Sequence, residues 1–385
     1  MDIRTLIILA LATLVLLRPG DARSDSPVPL SLNRGICIDR QFRTIPPERI
    51  MKISRDDIRL IKSMGFEFVK VLVNPEPLMS ENRLSSETRW YLRDLVQLVA
   101  DEGLPVVVCL HPEWEFKARI LSDTNEFSLF VGFVEETGRF LAASWGPKEL
   151  ALQLLTEPGG NTLDWNELQP KLWRAARRAM PNHTLILAGD QVGKIEGLIT
   201  TQPVPDENVL YSFTFYDPFL LTMQGAKWFA PAWWSHLAGV PYPANPEIMR
   251  EMLPALIEKI PATPDSWRPE VTRLLTEYGA ARWNREQLAA RVRKLADWNR
   301  SHGGGLKIWC AEFGCYQRTI EAPVRYRYLQ DLREAFEQHG IGWAYWSYNE
   351  TFTAMTAQRQ PFGLAKDQQP DQRLLEALFG SPKKR

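Results

Sequence analysis

The segment LKIWCAEFG, residues 306–314, joins an apolar run of strand-forming residues to one carboxylate, Glu312, and ends at a glycine that lets the backbone turn. A second segment, LALQLLTEP at 150–158, has the same order and carries Glu157 near its end. A buried strand has little use for a terminal carboxylate, whereas a β/α barrel gathers the residues at the C-terminal ends of its strands at one mouth, where active sites form. The two segments therefore predict barrel strands that each deliver a functional glutamate.

Six further apolar runs and the helices between them extend this pattern along the chain. The eight predicted strands are 35–38, 66–73, 105–110, 150–158, 184–188, 209–215, 306–314 and 341–346. Helices are predicted at 54–64, 86–102, 125–145, 164–180, 325–339 and 371–379, and 228–303 is predicted to be mostly helical, with starts at Asn245 and Asn284. Alternating strands and helices indicate parallel βα units. We expect an α/β fold, a (β/α)8 TIM barrel with a long helical insertion between strands 6 and 7.

A doubly wound open sheet is the alternative architecture. Against it, no G-x-G-x-x-G turn follows the first strand, and the chain contains no P-loop. The sequence shows no internal repeat and no low-complexity linker, so residues 23–385 are predicted to form a single domain. The polar and aromatic residues expected at the barrel mouth are Asp39, Lys70, His111, Thr156, Glu157, Thr214, Tyr216, Glu312 and Trp346.

Charge and aromatic content narrow the class of partner. Lys and Arg number 46, as do Asp and Glu, so the net charge is zero, and no long basic block suggests binding to nucleic acid. The 14 tryptophans could pack in the core or stack on sugar rings. Core packing is the default for most of them. For Trp228, Trp233 and Trp234, after strand 6, we keep both interpretations open: outer sugar subsites, or packing against the helical insertion.

Residues 1–22 have the features of a signal peptide. Arg4 precedes an apolar run of 12 residues at 6–17, and small residues follow at 20–22. A membrane-spanning helix needs about 20 apolar residues, so no stable membrane span is expected after cleavage. The sequence therefore predicts a secreted or periplasmic protein, which we expect to be a monomer.

The cysteines do not form a disulfide framework or a metal site. Four of them, Cys37, Cys109, Cys310 and Cys315, occur in the whole chain, and three fall inside predicted strands, where a free cysteine acts as a small apolar residue. One disulfide bond is possible after export, but no pairing follows from the sequence. Because the spacing of metal ligands is absent, neither a metal nor a cofactor is expected.

Two carboxylates at one mouth, with aromatic side chains around them, suit the hydrolysis of glycosidic bonds. In the retaining mechanism one carboxyl group donates a proton to the leaving oxygen while the other, about 5–5.5 Å away, attacks the anomeric carbon. Lys70 could supply the positive charge that keeps the attacking group ionised, and Tyr216 could donate a hydrogen bond to it. Trp346 would then be a stacking platform for a sugar ring.

Several separated motifs resemble glycoside hydrolase family 5, the cellulase family, over about residues 34–379. They are FVKVLVNP at 68–75, CLHP at 109–112, LLTEP at 154–158, FTFY at 213–216, AEFG at 311–314 and GWAYW at 342–346. The resemblance implies that Glu157 is the acid/base and Glu312 the nucleophile. It also implies that His111, Tyr216 and Trp346 support them.

Three positions depart from the family pattern and make this a divergent member. Lys70 replaces the usual arginine, which keeps the charge but loses the planar guanidinium fork. Thr156 replaces the asparagine that normally contacts the 2-hydroxyl of the cleaved sugar, and Thr214 replaces the histidine of the His-x-Tyr motif. These losses suggest an altered substrate or a reduced rate.

Three functions remain in competition. The leading hypothesis is a retaining glycoside hydrolase, cellulase- or endoglucanase-like, that cleaves β-glycosidic bonds in a polysaccharide. The second is a catalytically impaired member that binds glycans, and the third is a transglycosylase, which would use the same covalent intermediate. The sugar, the linkage and the choice between endo and exo attack stay open.

Overall fold

Eight parallel strands close into one barrel in the computed structural model, which describes residues 29–41, 53–159, 163–348, 351–356 and 368–380. The strands are β1 Arg34–Gln41, β2 Phe68–Val73, β3 Val106–Leu110, β4 Leu150–Gln153, β5 Thr184–Ala188, β6 Val209–Phe215, β7 Lys307–Phe313 and β8 Gly342–Tyr345. Each strand pairs with its neighbours in sequence, and β8 pairs with β1 through Arg34 and Trp343. The predicted barrel is confirmed, and the open sheet is excluded.

Thirteen helical segments of the described residues accompany these strands. They are α1 Arg55–Ser63, α2 Arg89–Ala100, α3 Trp114–Ile120, α4 Thr124–Ala142, α5 Trp165–Ala179, α6 Asp190–Gly193, α7 Ile195–Leu198, α8 Phe219–Thr222, α9 Pro246–Glu258, α10 Trp267–Ala280, α11 Arg285–Ser301, α12 Ala322–Gln338 and α13 Gln372–Phe379. The 3₁₀ turns Glu76–Leu78 and Ala232–His236 and a hairpin of Met79–Ser80 with Arg83–Leu84 complete the elements. The expected helical insertion between strands 6 and 7 is therefore confirmed as α8 to α11.

Helix starts follow the polar residues that cap them. Ser54 accepts a hydrogen bond from the Asp57 amide and forms a reciprocal capping box with it. The side chains of Asp164, Asn245 and Asn284 accept hydrogen bonds from amides in the first turns of α5, α9 and α11. These caps explain why the predicted starts of the three helices were accurate. Helix α3 was not predicted, because Glu113 makes no side-chain cap there and the helix is only 7 residues long.

Side chains fill the barrel on both faces of its strands. The outer faces pack against the helices in one extended apolar cluster. The interior holds a smaller set, which includes Phe68, Val107, Ile186 and Trp309. Lys70 lies two residues from Phe68 on the same strand and therefore shares this inward face. One charged side chain is thus inserted among the apolar residues of the barrel interior.

All four cysteines are buried and unpaired, so the disulfide that the sequence left possible does not form. The predicted signal peptide, residues 1–22, lies outside the described residues. Among the helices that the structure describes, none combines the length and the apolarity that crossing a membrane requires.

Candidate active site

Glu312 lies near the end of β7, where a bulge changes the direction in which its side chain points. Pairing with β6 passes from Cys310 to Glu312 and skips Ala311, and the register with β8 shifts over the same residues. Strict alternation would point Glu312 to the outer face with Cys310, since Trp309 and Ala311 belong to the interior. The extra residue lets Glu312 follow Ala311 on the inner side, because a bulge re-aims the side chains after it.

Two neighbours hold the Glu312 carboxylate, which is only 4% exposed. Lys70 Nζ lies 2.8 Å from Oε1, and the Tyr216 hydroxyl donates to Oε2 over 3.3 Å. Lys70 Nζ also lies 3.1 Å from the carbonyl oxygen of Ala311, the residue at the bulge. A single ammonium therefore stabilises both the bulge and the carboxylate that the bulge presents.

Lys70 is fully buried, yet it stays charged. Burial by itself would lower the pKa of Lys70, but the negative charge of Glu312 and its hydrogen bond to the ammonium outweigh burial and raise that pKa above its ordinary value. The predicted contact between Lys70 and Glu312 is thus present in the structure, although a lysine can hold only one carboxylate oxygen where an arginine could hold two.

Glu157 lies four residues beyond the end of β4 and is half-buried at the mouth. Burial and, as the second cause, the negative charge of Glu312 together raise the pKa of its carboxyl group to about 7. The positive charges of Lys117 and Lys70 oppose this shift. The two glutamates therefore occupy unlike environments: one carboxylate is bound directly by an ammonium, and the other has a raised pKa.

The backbone around Glu157 is unusual. Its φ of 49° lies in the left-handed region, which non-glycine residues seldom occupy. The adjacent segment Asp190–Gly193 also has left-handed residues, with φ of 54° at Gln191 and 61° at Val192. The Val192 amide donates to the Pro158 carbonyl over 2.7 Å, so the segment packs directly against the backbone that carries Glu157.

Gly193 closes this segment at a φ of 71°, and a Cβ there would lie 3.5 Å from Cγ of Glu157 and 3.2 Å from Oγ1 of Thr214. The Thr214 hydroxyl donates to the Val192 carbonyl over 3.2 Å. Thr214 also pairs with Glu312 in the β6–β7 register. The residue that replaces histidine in the sequence motif therefore lies between the two glutamates and braces the left-handed segment.

His111 and Thr156 occupy the mouth between β3 and β4. The His111 amide donates to the Val73 carbonyl over 2.8 Å, and its side chain is half-buried. The Thr156 amide donates to the Leu110 carbonyl over 3.1 Å, and its side chain is fully buried. Thr156 consequently contributes no exposed group to the mouth, whereas His111 keeps part of its ring accessible.

Aromatic side chains line the mouth between Tyr216 and Trp346. Trp346 follows β8 and packs both against the barrel interior and against a set of residues that we term the rim cluster. The rim cluster comprises Tyr216, Phe219, Met223, Ala226, Phe229, Trp234, Tyr316, Trp346 and Phe352. Trp346 therefore joins the barrel interior to an aromatic wall.

The three tryptophans after β6 behave differently. Trp233 is buried, stacks on Trp234 with ring centroids 4.5 Å apart, and donates from Nε1 to Glu270 over 3.2 Å. Packing is thus the correct interpretation for Trp233, and Trp234 packs on the rim cluster. Trp228 is 54% exposed, although its ring lies 5.3 Å from that of Tyr316. Of the three, Trp228 is the one whose indole is largely available to a ligand.

Gly314, at the end of the opening segment, has a different role from the one the sequence suggested. Its backbone φ is not positive, so no left-handed turn requires a glycine here. A Cβ at this position would instead lie 2.4 Å from the carbonyl oxygen of Trp346. The glycine is needed because the ends of β7 and β8 approach closely, which brings Trp346 beside Glu312.

Sequence reasoning missed Lys117. This residue lies in α3, is 1% exposed, and donates from Nζ to the Glu157 carbonyl over 3.2 Å. Its ammonium also lies 4.5 Å from the ring centroid of Trp114. A lysine in a short helix after a strand carries no sequence signal of burial, since lysines there are usually solvent-exposed.

No cluster of three or more His, Cys, Asp or Glu side chains suited to a metal ion occurs within the described parts of the chain. The arrangement is instead that of two carboxyl groups, two buried ammonium groups and an aromatic wall.

Comparison with known proteins finds relatives over most of the chain. The model of the cellulase family, glycosyl hydrolase family 5, matches residues 41–351. Endoglucanase C of Acetivibrio thermocellus is 22% identical over 322 residues, which are 80% of this chain and 88% of that protein. Endoglucanase 3 of Fibrobacter succinogenes is 21% identical over 358 residues, 87% of this chain and 52% of that protein.

Solved structures show the same fold. The clostridial cellulose synthase subunit Z of Clostridioides difficile superposes with a TM-score of 0.69 at 20% identity, covering 91% of this chain and 100% of that one. Endoglucanase Cel5A of Thermotoga maritima gives a TM-score of 0.69 at 19% identity, covering 90% and 96%. With the family match spanning most of its length, the chain belongs to glycosyl hydrolase family 5, the cellulase family, and is a glycosidase.

Proposed function

We propose that this protein is a retaining, endoglucanase-like glycosidase that cleaves β-glycosidic bonds in a polysaccharide, with Glu312 as nucleophile and Glu157 as acid/base. One observation carries the proposal. The carboxyl groups of Glu312 and Glu157 lie at the same mouth in unlike environments, with Lys70 and Tyr216 bound to Glu312 and a raised pKa at Glu157.

In the first step, a Glu312 oxygen bonds to the anomeric carbon as the glycosidic bond breaks. The electron pair of that bond leaves with the aglycone oxygen, which takes the proton of Glu157. Lys70 and Tyr216 hold the attacking carboxylate in one orientation, so that little reorganisation is needed at the moment of attack. A carboxyl group with a pKa of about 7 is protonated often enough near neutral pH to act as the acid.

In the second step, Glu157 acts as the base. Its carboxylate accepts a proton from water, whose oxygen attacks the anomeric carbon and releases Glu312 with retention of configuration. If a sugar hydroxyl took the place of water, the same intermediate would give transglycosylation. Trp346 provides the apolar surface against which a sugar ring could stack during both steps.

The names of the relatives suggest the substrate class. Curated relatives are endoglucanases, and structures of Thermotoga maritima Cel5A contain cellobiose or mannotriose. We therefore take soluble β-glucans as first candidates and β-mannans as second ones. We propose that His111 and Trp346 support the two glutamates at the mouth. Thr156 and Thr214 are proposed as supporting residues that lie beneath the mouth.

The proposal is tested by measuring reducing ends released from carboxymethylcellulose, β-glucans and β-mannans. Glu312→Gln and Glu157→Gln should each lower turnover by about a hundredfold or more, since each removes a chemical step. Glu167→Gln, on the outer helix α5, is the matched control and should leave turnover unchanged. Full turnover in Glu312→Gln would remove that residue from the mechanism.

A glycan-binding protein with little turnover is the second candidate. It is favoured by the full burial of Thr156, because this withdraws one polar group from the mouth. This candidate predicts affinity for oligosaccharides without release of reducing ends. Release that depends on Glu312 would eliminate it.

We also propose that the chain is exported to the periplasm or the medium, with residues 1–22 removed and 23–385 acting as one domain and as a monomer. The apolar run at 6–17 supports export. Sequencing the N-terminus of the mature protein and measuring its mass in solution test these points. A retained N-terminus or a stable dimer would contradict them.

A further inference from the structure

Lys117 joins α3 to the backbone of Glu157. It lies one turn from Trp114, whose indole is 57% exposed, and its ammonium lies 4.5 Å from that ring and 3.2 Å from the Glu157 carbonyl oxygen. The side chain itself is almost completely buried. An ammonium is rarely placed in such surroundings unless its charge and donors are used.

The carbonyl that Lys117 binds belongs to the left-handed residue Glu157. A non-glycine residue persists in this conformation only when its surroundings hold it there. On one side the turn is held by the bond from the Val192 amide to Pro158. On the other side the backbone at Glu157 is held by the hydrogen bond from the Lys117 ammonium to the Glu157 carbonyl. The direction of the Glu157 side chain therefore depends on both contacts.

Several charged or titratable groups surround Glu157, each on a different element. Lys70 comes from β2, Lys117 from α3, Tyr216 from the end of β6 and Glu312 from β7. Exposed Lys194 lines the small cavity beside Glu157. Of the three lysines, Lys70 is bound to Glu312 and Lys194 faces solvent, which leaves Lys117 as the buried cation in direct contact with Glu157.

We propose that Lys117 is a positioning residue for the acid/base step: its buried ammonium holds the main chain of Glu157 in the left-handed conformation and fixes a positive charge beside the carboxyl group. The inference rests on the proposed role of Glu157 and extends it to a residue outside the family motifs. Because Lys117 touches the backbone of Glu157 and not the reacting atoms, it acts on catalysis through Glu157.

The test compares Lys117→Met with the unaltered protein on two cellobiosides. The dinitrophenyl group leaves as the dinitrophenolate anion and needs no proton. The methyl glycoside releases methanol and needs a proton from Glu157. Lys117→Met should therefore lower kcat/KM for methyl β-cellobioside by on the order of tenfold or more, and should affect dinitrophenyl β-cellobioside much less. A merely structural role would lower both by the same factor.

The pH dependence gives a second readout. The charge of Lys117 lowers the pKa of Glu157, so removal of this charge should raise that pKa and move the alkaline limb of the pH–rate profile to higher pH. NMR titration of the Glu157 carboxyl carbon measures the same shift without turnover. Lys117→Arg, which keeps the charge, should restore the limb, and Lys148→Met, at an exposed position before β4, is the matched control whose limb should not move.

Equal losses on both cellobiosides, or an unmoved Glu157 titration in Lys117→Met, would overturn the inference. Should that variant not fold, Lys117→Gln keeps a donor without the charge and is read by the same titration. Glu157→Ala separates this inference from the proposed function. If it loses kcat/KM for methyl β-cellobioside but retains kcat/KM for dinitrophenyl β-cellobioside, which reports only the first step, Glu157 is the acid whatever Lys117 does. An equal fractional change of kcat/KM for both substrates would instead reject the acid role itself.

Discussion

Lys70 and Glu312 form an ion pair inside the barrel, with 2.8 Å between Nζ and Oε1 and with both side chains nearly inaccessible to solvent. Desolvation makes such a pair a poor source of net stability, but breaking it leaves one uncompensated buried charge. The main role of the pair is therefore to position the carboxylate of Glu312, and the size of this effect is measured by removing one partner.

Replacing Lys70 by methionine tests this directly. Lys70→Met should destabilise the fold by about 3–5 kcal/mol and should lower turnover strongly, because the carboxylate and the bulge at Ala311 both lose their cation. Chemical denaturation and reducing-end assays measure the two effects. Lys148→Met, at an exposed position, is the control, and an equally small change in both variants would contradict the role of the pair.

The raised pKa of Glu157 predicts the alkaline limit of activity. Its carboxyl group must be protonated to donate to the leaving oxygen, so kcat/KM should fall as the pH rises through about 7. The limb should be absent for a substrate whose leaving group needs no proton. A profile that stays flat well above this pH for methyl β-cellobioside would contradict the assignment of Glu157.

The same shift predicts a pH-dependent stability. The pKa of Glu157 is raised from 4.5 to about 7, so the folded state binds this proton more tightly than the unfolded state does. The resulting stabilisation is complete below about pH 4.5 and is lost as the pH rises to about 7. Glu157→Gln should remove this loss and gain on the order of 1–3 kcal/mol over the unaltered protein at alkaline pH, as denaturation at several pH values would show.

Exposed Trp228 predicts an outer sugar subsite. Its indole borders the rim cluster, so Trp228→Ala should raise KM for long oligosaccharides by about two- to tenfold, corresponding to about 0.5–1.5 kcal/mol of ring stacking. Short substrates should be unaffected. Trp90→Ala is the matched control, since Trp90 is 42% exposed but lies on the outer helix α2. Equal effects of the two substitutions would exclude a subsite at Trp228.

Gly314 predicts a steric link between the two strand ends. Gly314→Ala would place a Cβ 2.4 Å from the Trp346 carbonyl oxygen, and the backbone must shift to relieve that contact. We expect a loss of about 1–3 kcal/mol in stability and reduced turnover as Trp346 moves. Gly305→Ala, where a Cβ meets no atom within 4 Å, is the control. Unchanged stability and turnover in Gly314→Ala would refute this link.

Much of this architecture was predictable because the signals are local. Alternating apolar runs and capping residues such as Ser54 and Asn284 predicted the strands and most helix starts. The predicted ends of two strands pointed to both glutamates, although β4 ends at Gln153, four residues before Glu157. The bulge at Ala311 was not predictable, because strict alternation would have turned Glu312 away from the mouth. The left-handed conformations of Gln191 and Val192 also had no local signal, since both residue types normally avoid them.

The burial of Lys117 was likewise hidden, because its partner is the backbone of a residue 40 positions away in sequence. Such a contact depends on how α3 packs against the end of β4, which only tertiary structure decides. The departures at Lys70, Thr156 and Thr214 were visible in the sequence, but their partners were not.

The four isolated cysteine thiols determine how the protein can be produced. Burial raises the pKa of the Cys109 and Cys315 thiols to about 12, which keeps them in the unreactive protonated form. Since no covalent cross-link joins these residues, the barrel needs no oxidising compartment and no disulfide isomerase to reach its native state. Production in a reducing cytoplasm, with dithiothreitol present throughout purification, should therefore yield the folded barrel.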